Sequence, residues 1–246
     1  MDQILHEKPE AVDYVRAFFV KWKDRLETDQ GSDFLPDKRV GHQFSRAFLS
    51  LFLRYAHTNW PEKLSTDHYE LAVRDSKFRS ENYQEIKRQL NHEIRIRKPT
   101  RKVLMALLNT NGSAPPKGRL PVDGWHHLLA VAIHNVSVNY ELNVGEEDFS
   151  NGRSAKAAVV IALSELFPST DIDYQREQMP FDGTIPGREL LNKTWENWRI
   201  TIRPAHSKKN DFRNYKTLNT EYDIFYAFYL SHFMKLIRKK IKQTPE

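Results

Sequence analysis

The chain has no cysteine among its 246 residues. That excludes disulfides, thiolate metal sites and a cysteine nucleophile, and it suits a reducing compartment. Glycine is scarce, at nine residues, which argues against an all-β fold with its many tight turns. No uninterrupted apolar run approaches the roughly 20 residues that a membrane span needs. The opening stretch MDQILHEKPEAVDY lacks the basic-then-apolar pattern of a secretion signal, so a cytoplasmic location is expected. Nucleotide signatures are missing as well: there is no Gly-rich phosphate loop ending in Lys-Ser/Thr and no GxGxxG after a strand. The GxSxG nucleophile elbow is absent, and no segment repeats at a fixed period. No cofactor is therefore expected, and function has to be read from the charge pattern.

What the chain does have is size and positive charge. A length of 246 residues fits one compact domain or two smaller ones. The breaker-rich stretch NTNGSAPPKGRLP is the best candidate boundary, separating an N-terminal helical region (1–110) from a C-terminal one (120–246). Lys+Arg number 38 against 32 Asp+Glu, for a net charge of +6 and a pI near 9.3. A cationic excess favours acidic partners, nucleic acid first, through counterion release and electrostatic steering.

Apolar periodicity predicts a mainly α fold of seven to eight helices. Val12, Val15, Phe18, Phe19, Trp22 and Leu26 form one helical stripe, with Arg16, Lys21, Lys23 and Arg25 largely outside it. Phe44, Phe48, Leu51, Phe52 and Tyr55 form a second. Tyr83, Ile86, Leu90 and Ile94 form a third, and Thr100 is placed to cap a short helix through Asn109. The two most apolar segments, VDGWHHLLAVAIHNVSV and SAKAAVVIALSELF, are expected to pair as helices and floor the core. Ser150 or Asn151 would cap the second of them. Glu221 to Lys242 reads as a long aromatic helix. Two stretches alternate instead: Ile94 and Ile96 with Arg95 and Arg97, and Trp198, Ile200 and Ile202 with Arg199, Thr201 and Arg203. They predict a small two- or three-stranded β element from residues 93–98, 170–176 and 197–203.

The first constellation with chemical meaning is cationic. Lys87, Arg88, Arg95, Arg97, Lys98, Arg101 and Lys102 fall within sixteen residues. A second group comprises Arg199, Arg203, His206, Lys208, Lys209, Arg213 and Lys216, and a third Arg238, Lys239, Lys240 and Lys242. Guanidinium presents a planar fork that grips phosphate through two bonds, so the arginine bias at 95–101 points to phosphate recognition. The competing reading is a set of solvated faces with surface ion pairs.

Three other sets are weaker. His126, His127 and His134 share one predicted helix, but the helical zinc spacing of three or four residues with a nearby carboxylate is absent. No metal site is expected there, and core histidines are the plainer reading. Asp171, Asp173 and Glu177 could hold Mg²⁺ for phosphodiester cleavage, yet this stretch has no lysine two residues beyond an acid. They are equally turn formers after Pro168. The aromatics of the last helix could stack bases, though aromatics at helical spacing usually face a core or a subunit interface.

The function expected is non-catalytic binding of nucleic acid, DNA or RNA, by its phosphate backbone. The residues expected to carry it are Arg95, Arg97, Arg101, Lys102, Arg199, Arg203, Lys208, Lys209 and Arg213. One alternative is a metal-dependent nuclease or toxin-like RNase using the acidic set, with His126, His127 or His134 as proton carrier. Another is a helical subunit of a larger complex that docks a protein partner through helix 221–242.

Overall fold

A computed structural model of the chain describes residues 8–30, 40–59, 76–92, 96, 98, 100–101, 104–105, 123–144, 154–167, 195–196 and 217–230. These include six helices: α1 (Pro9–Gln30), α2 (Val40–Thr58), α3 (Ser76–Asn91), α4 (Asp123–Tyr140), α5 (Ala155–Leu166) and α6 (221–230). The chain divides into two compact units. The first joins residues 1–45 to 122–246, and the second is the intervening 46–121. None of the described helices is long and apolar enough to cross a membrane.

In the first unit α4 is the central element. His127 through Val136 are buried without interruption. A helix apolar around its whole circumference belongs inside a core, and α1 and α5 pack on it and on each other. The expected pairing of the two apolar helices is therefore present, with α1 as a third wall. Ala155, Ala157, Ala158 and Ala162 keep the buried surface of α5 small, which lets neighbouring backbones approach closely. From α1, Ala11, Val12, Val15, Phe19, Trp22 and Leu26 are buried, while Phe18 is only half-buried.

The aromatic centre of this unit is Trp125. Its ring lies 5.1 Å from that of Phe44 and 5.5 Å from that of Phe19. Gly41 lies against it, where an added Cβ would stand 2.9 Å from Trp125 Cδ1. The Trp125 backbone N–H, in the first turn of α4, donates to Ser45 Oγ at 2.8 Å. That supplies an acceptor to one of the four N–H groups that every helix start leaves open. The far end of α4 stops at Glu141, whose φ of 53° is left-handed. There Lys8 Nζ donates to the Tyr140 carbonyl and Ser137 Oγ to that of Leu142.

The cap of α5 is Ser154, neither Ser150 nor Asn151. Its backbone is extended, and its Oγ accepts from Ala157 N at 3.1 Å. Thr220 caps α6 in the same manner, accepting from Asp223 N at 3.1 Å while donating to Asp223 Oδ2 at 2.6 Å.

Two further expectations need correction. The described residues contain no strand, so the small β element is not supported. Of its three stretches, 170–176 and 197–203 lie outside the described residues. In 93–98, Lys98 is helical, as are Thr100 and Arg101. Four alternating residues span barely one helical turn, too short a run to separate period 2 from period 3.6. Thr100, buried and already helical, sits within that turn instead of ahead of it. The second correction is the phase of α3. Asn82, Glu85, Ile86 and Gln89 are buried, whereas Tyr83 and Leu90 face outward at 38% and 52% exposure. The helix is turned by about one residue, roughly 100°, from the stripe that Tyr83, Ile86 and Leu90 predict. Ile94 lies outside the described residues.

Candidate functional site

The polar groups inside the first unit act as ties between its elements. Asn135 is fully buried, within the unbroken buried run of α4. Its Nδ2 donates to Tyr14 Oη at 2.9 Å and to the Leu218 carbonyl at 3.1 Å, and its Oδ1 accepts from Leu218 N at 2.8 Å. One amide thus pairs with the backbone of residue 218 as a neighbouring strand would, and also reaches α1. Burial, the largest influence, pushes the Tyr14 phenol above its ordinary pKa, while the bond from Asn135 acts in the opposite direction.

The histidines take similar places. His127 is buried, with Nε2 2.8 Å from the Ile224 carbonyl. A carbonyl only accepts, so Nε2 carries the proton. The same ring stands edge-on to Phe228 at 5.1 Å. His134 is buried seven residues further along α4, and His126 is half-buried. Among the described residues no group of three or more His, Asp and Glu is placed to hold a metal ion. Asp171, Asp173 and Glu177 lie outside them.

The cations on α1 are largely occupied. Arg16 is held by Asp13 and by Glu165 of α5. Lys23 lies 3.7 Å from Glu27, and Arg25 Nε donates to Glu221 Oε1 of α6 at 3.0 Å. Beside that last pair runs a groove of about 510 Å³, with Phe18 and Trp22 on one side and Leu218 and Ile224 on the other. Lys21 and Arg25 around it are balanced by Asp24 and Glu221. It offers an apolar surface without a net field for a polyanion.

On α6, Ile224, Phe225, Phe228 and Tyr229 are turned into the core. Tyr222 is exposed and stacks on Tyr226 at 5.8 Å, nearly parallel. Residues 231–242 lie outside the described part.

The second unit differs in charge. Residues 46–121 hold 15 Lys+Arg against 7 Asp+Glu, a net charge of +8. The rest of the chain holds 23 against 25, a net charge of −2. The cationic excess of the protein therefore belongs to the second unit. Within its first arginine-rich cluster, Arg88 is neutralised locally: its Nε and Nη2 each donate to Glu85 at 2.8 Å, which raises its pKa further. Gln89 Nε2 donates to the same carboxylate at 2.9 Å. Lys87, Lys98 and Arg101 are exposed, and none has a carboxylate partner among the described residues. Arg95, Arg97 and Lys102 lie outside the described residues, as do Arg199, Arg203, Lys208, Lys209 and Arg213.

No protein-family model, curated protein or solved structure matches this chain.

The structure adds three groups that periodicity does not reveal. Asn135 carried one signal, an amide inside the mostly apolar run from Leu128 to Val136. Glu85 carried none, because an Arg three residues later is common on exposed helices. The charge of the second unit becomes visible once the chain is divided by contacts: α2 starts in one unit and continues in the other, and no breaker marks residue 45.

Proposed function

We propose that the protein binds nucleic acid without cleaving it, and that the phosphate backbone is gripped by the second unit. The observation that carries this reading is the charge asymmetry, +8 within residues 46–121 against −2 for the remainder. Its support is local as well. Lys87, Lys98 and Arg101 face solvent with their charges uncompensated among the described residues, while α1 of the first unit spends its cations on carboxylates of the same chain. Arg95, Arg97 and Lys102 belong to the same segment by sequence and extend the set. Arginine there matches phosphate oxygens in pairs, whereas lysine supplies point charge.

Retardation of labelled DNA or RNA in a native gel at low salt is the expected result. Binding should weaken linearly on a log–log plot against salt, with a slope near 0.9 per phosphate neutralised on a duplex. Replacing Lys87, Lys98 and Arg101 together by Ala should weaken binding for every sequence tested and lower that slope by about 2–3. Absence of retardation for every DNA and RNA at low salt would remove the proposal. So would an unchanged slope in the triple variant.

A further inference from the structure

The outward face of α3 is built the wrong way round for a helix that meets only water. Asn82, Glu85 and Gln89 point inward, and the Glu85 carboxylate is held there by Arg88 and Gln89. Tyr83 and Leu90 point outward. Positions 83, 87 and 90 follow one another at spacings of four and three, so they share one stripe. Lys87 stands between the two apolar side chains and is exposed, without a carboxylate partner among the described residues. The stripe thus reads aromatic, cationic, aliphatic over about 10 Å of helix.

From this we infer that α3 presents a stacking surface for single-stranded nucleic acid, with an unpaired base on Tyr83, a second base against Leu90 and the intervening phosphate on Lys87. The inference rests on the nucleic-acid reading above and narrows it. A duplex offers a helix surface its phosphates and its groove edges, and an exposed ring and an isobutyl group gain little from either. An unpaired strand offers base faces, and every base has one, so a single tyrosine serves without regard to sequence. Ten ångströms accommodate roughly two or three stacked nucleotides at about 3.4 Å each. The net charge of +8 on this unit makes the occupant anionic. An acidic protein segment shares that sign, but it does not bring a flat aromatic face with each negative charge, as a nucleotide does.

The test uses the full chain, fluorescently labelled oligothymidylate and oligouridylate, and duplexes of equal length. The chain should prefer the single strands. Tyr83→Ala should weaken single-strand binding by about 5- to 100-fold and leave duplex binding within about twofold, while Tyr83→Phe keeps the ring and the affinity. Lys87→Ala should weaken both forms. Tyr83 is exposed, so the Ala variant should fold, which its unchanged thermal melt would register. If duplexes and single strands bind alike and Tyr83→Ala is silent, this inference falls while backbone binding stands. If no nucleic acid binds, the underlying reading fails first. If polyglutamate displaces the oligonucleotides and is itself weakened by Tyr83→Ala, the face is a dock for acidic protein and the inference is overturned.

Discussion

Gly41 sits where two physical effects have opposite signs. Glycine inside a helix loses backbone entropy, so replacement by alanine ordinarily gains roughly 0.5–1 kcal/mol. Here the new methyl would lie 2.9 Å from Cδ1 and 3.1 Å from Nε1 of Trp125, on an indole already wedged against Phe19 and Phe44. Overpacking a core typically costs about 1–3 kcal/mol, so the clash wins. Gly41→Ala should therefore lower stability by about 1–2 kcal/mol, read as a lower urea midpoint at unchanged m-value. A gain in stability would mean that the indole can shift. The buried Trp125 Nε1, which has no acceptor among the described residues, adds a local weakness at the same point.

At the scale of elements, Asn135 holds α1, α4 and the 217–219 segment together through one side chain. Asn135→Leu preserves bulk but leaves the Leu218 N–H and C=O without their partner. Each buried, unpaired backbone group costs about 1–3 kcal/mol, so a total loss of about 2–5 kcal/mol is expected by chemical denaturation. Hydrogen exchange at the Leu218 amide should accelerate in parallel. A loss below about 0.5 kcal/mol would show that the segment is anchored elsewhere. Much of this level was legible in the sequence. The stripes of α1 and α2 and the two apolar runs of α4 and α5 are long enough for the 3.6-residue period to dominate. What escaped has physical causes. The inward face of α3 carries Asn82, Glu85 and Gln89 beside Ile86, and a polar buried stripe is invisible to hydrophobic periodicity. The β element was inferred from runs too short to carry a period. The cap of α5 was expected at Ser150 or Asn151, but Ser154 holds that place; all three are good caps by residue type, and only geometry chooses between them.

For the molecule as a whole, the sequence gives the sum of charges and hides their distribution. A net charge of +6 looks modest, yet it is the difference between a strongly cationic unit and a slightly anionic remainder. Near pH 9.3, where the whole chain has no net charge, residues 46–121 should still be positive and the rest negative. The protein should therefore be retained on a phosphate-bearing column at its own isoelectric point and released by salt. Flow-through at low salt and that pH would show that the charges do not act as a group. Of the candidate site, the segment 87–102 was legible from its arginine density. The exposure of Tyr83 was not, because its periodicity places it in the core.

The first unit is assembled from both sides of an insertion, and this has a consequence for synthesis. Phe19 and Trp125 are partners in its core, but roughly 100 residues separate them on the ribosome. At about 5–20 residues per second, the greasy side of α1 waits on the order of 5–20 s before its natural cover emerges. During that interval the nascent chain displays valine, phenylalanine and tryptophan to the surrounding solution, which is what chaperones recognise.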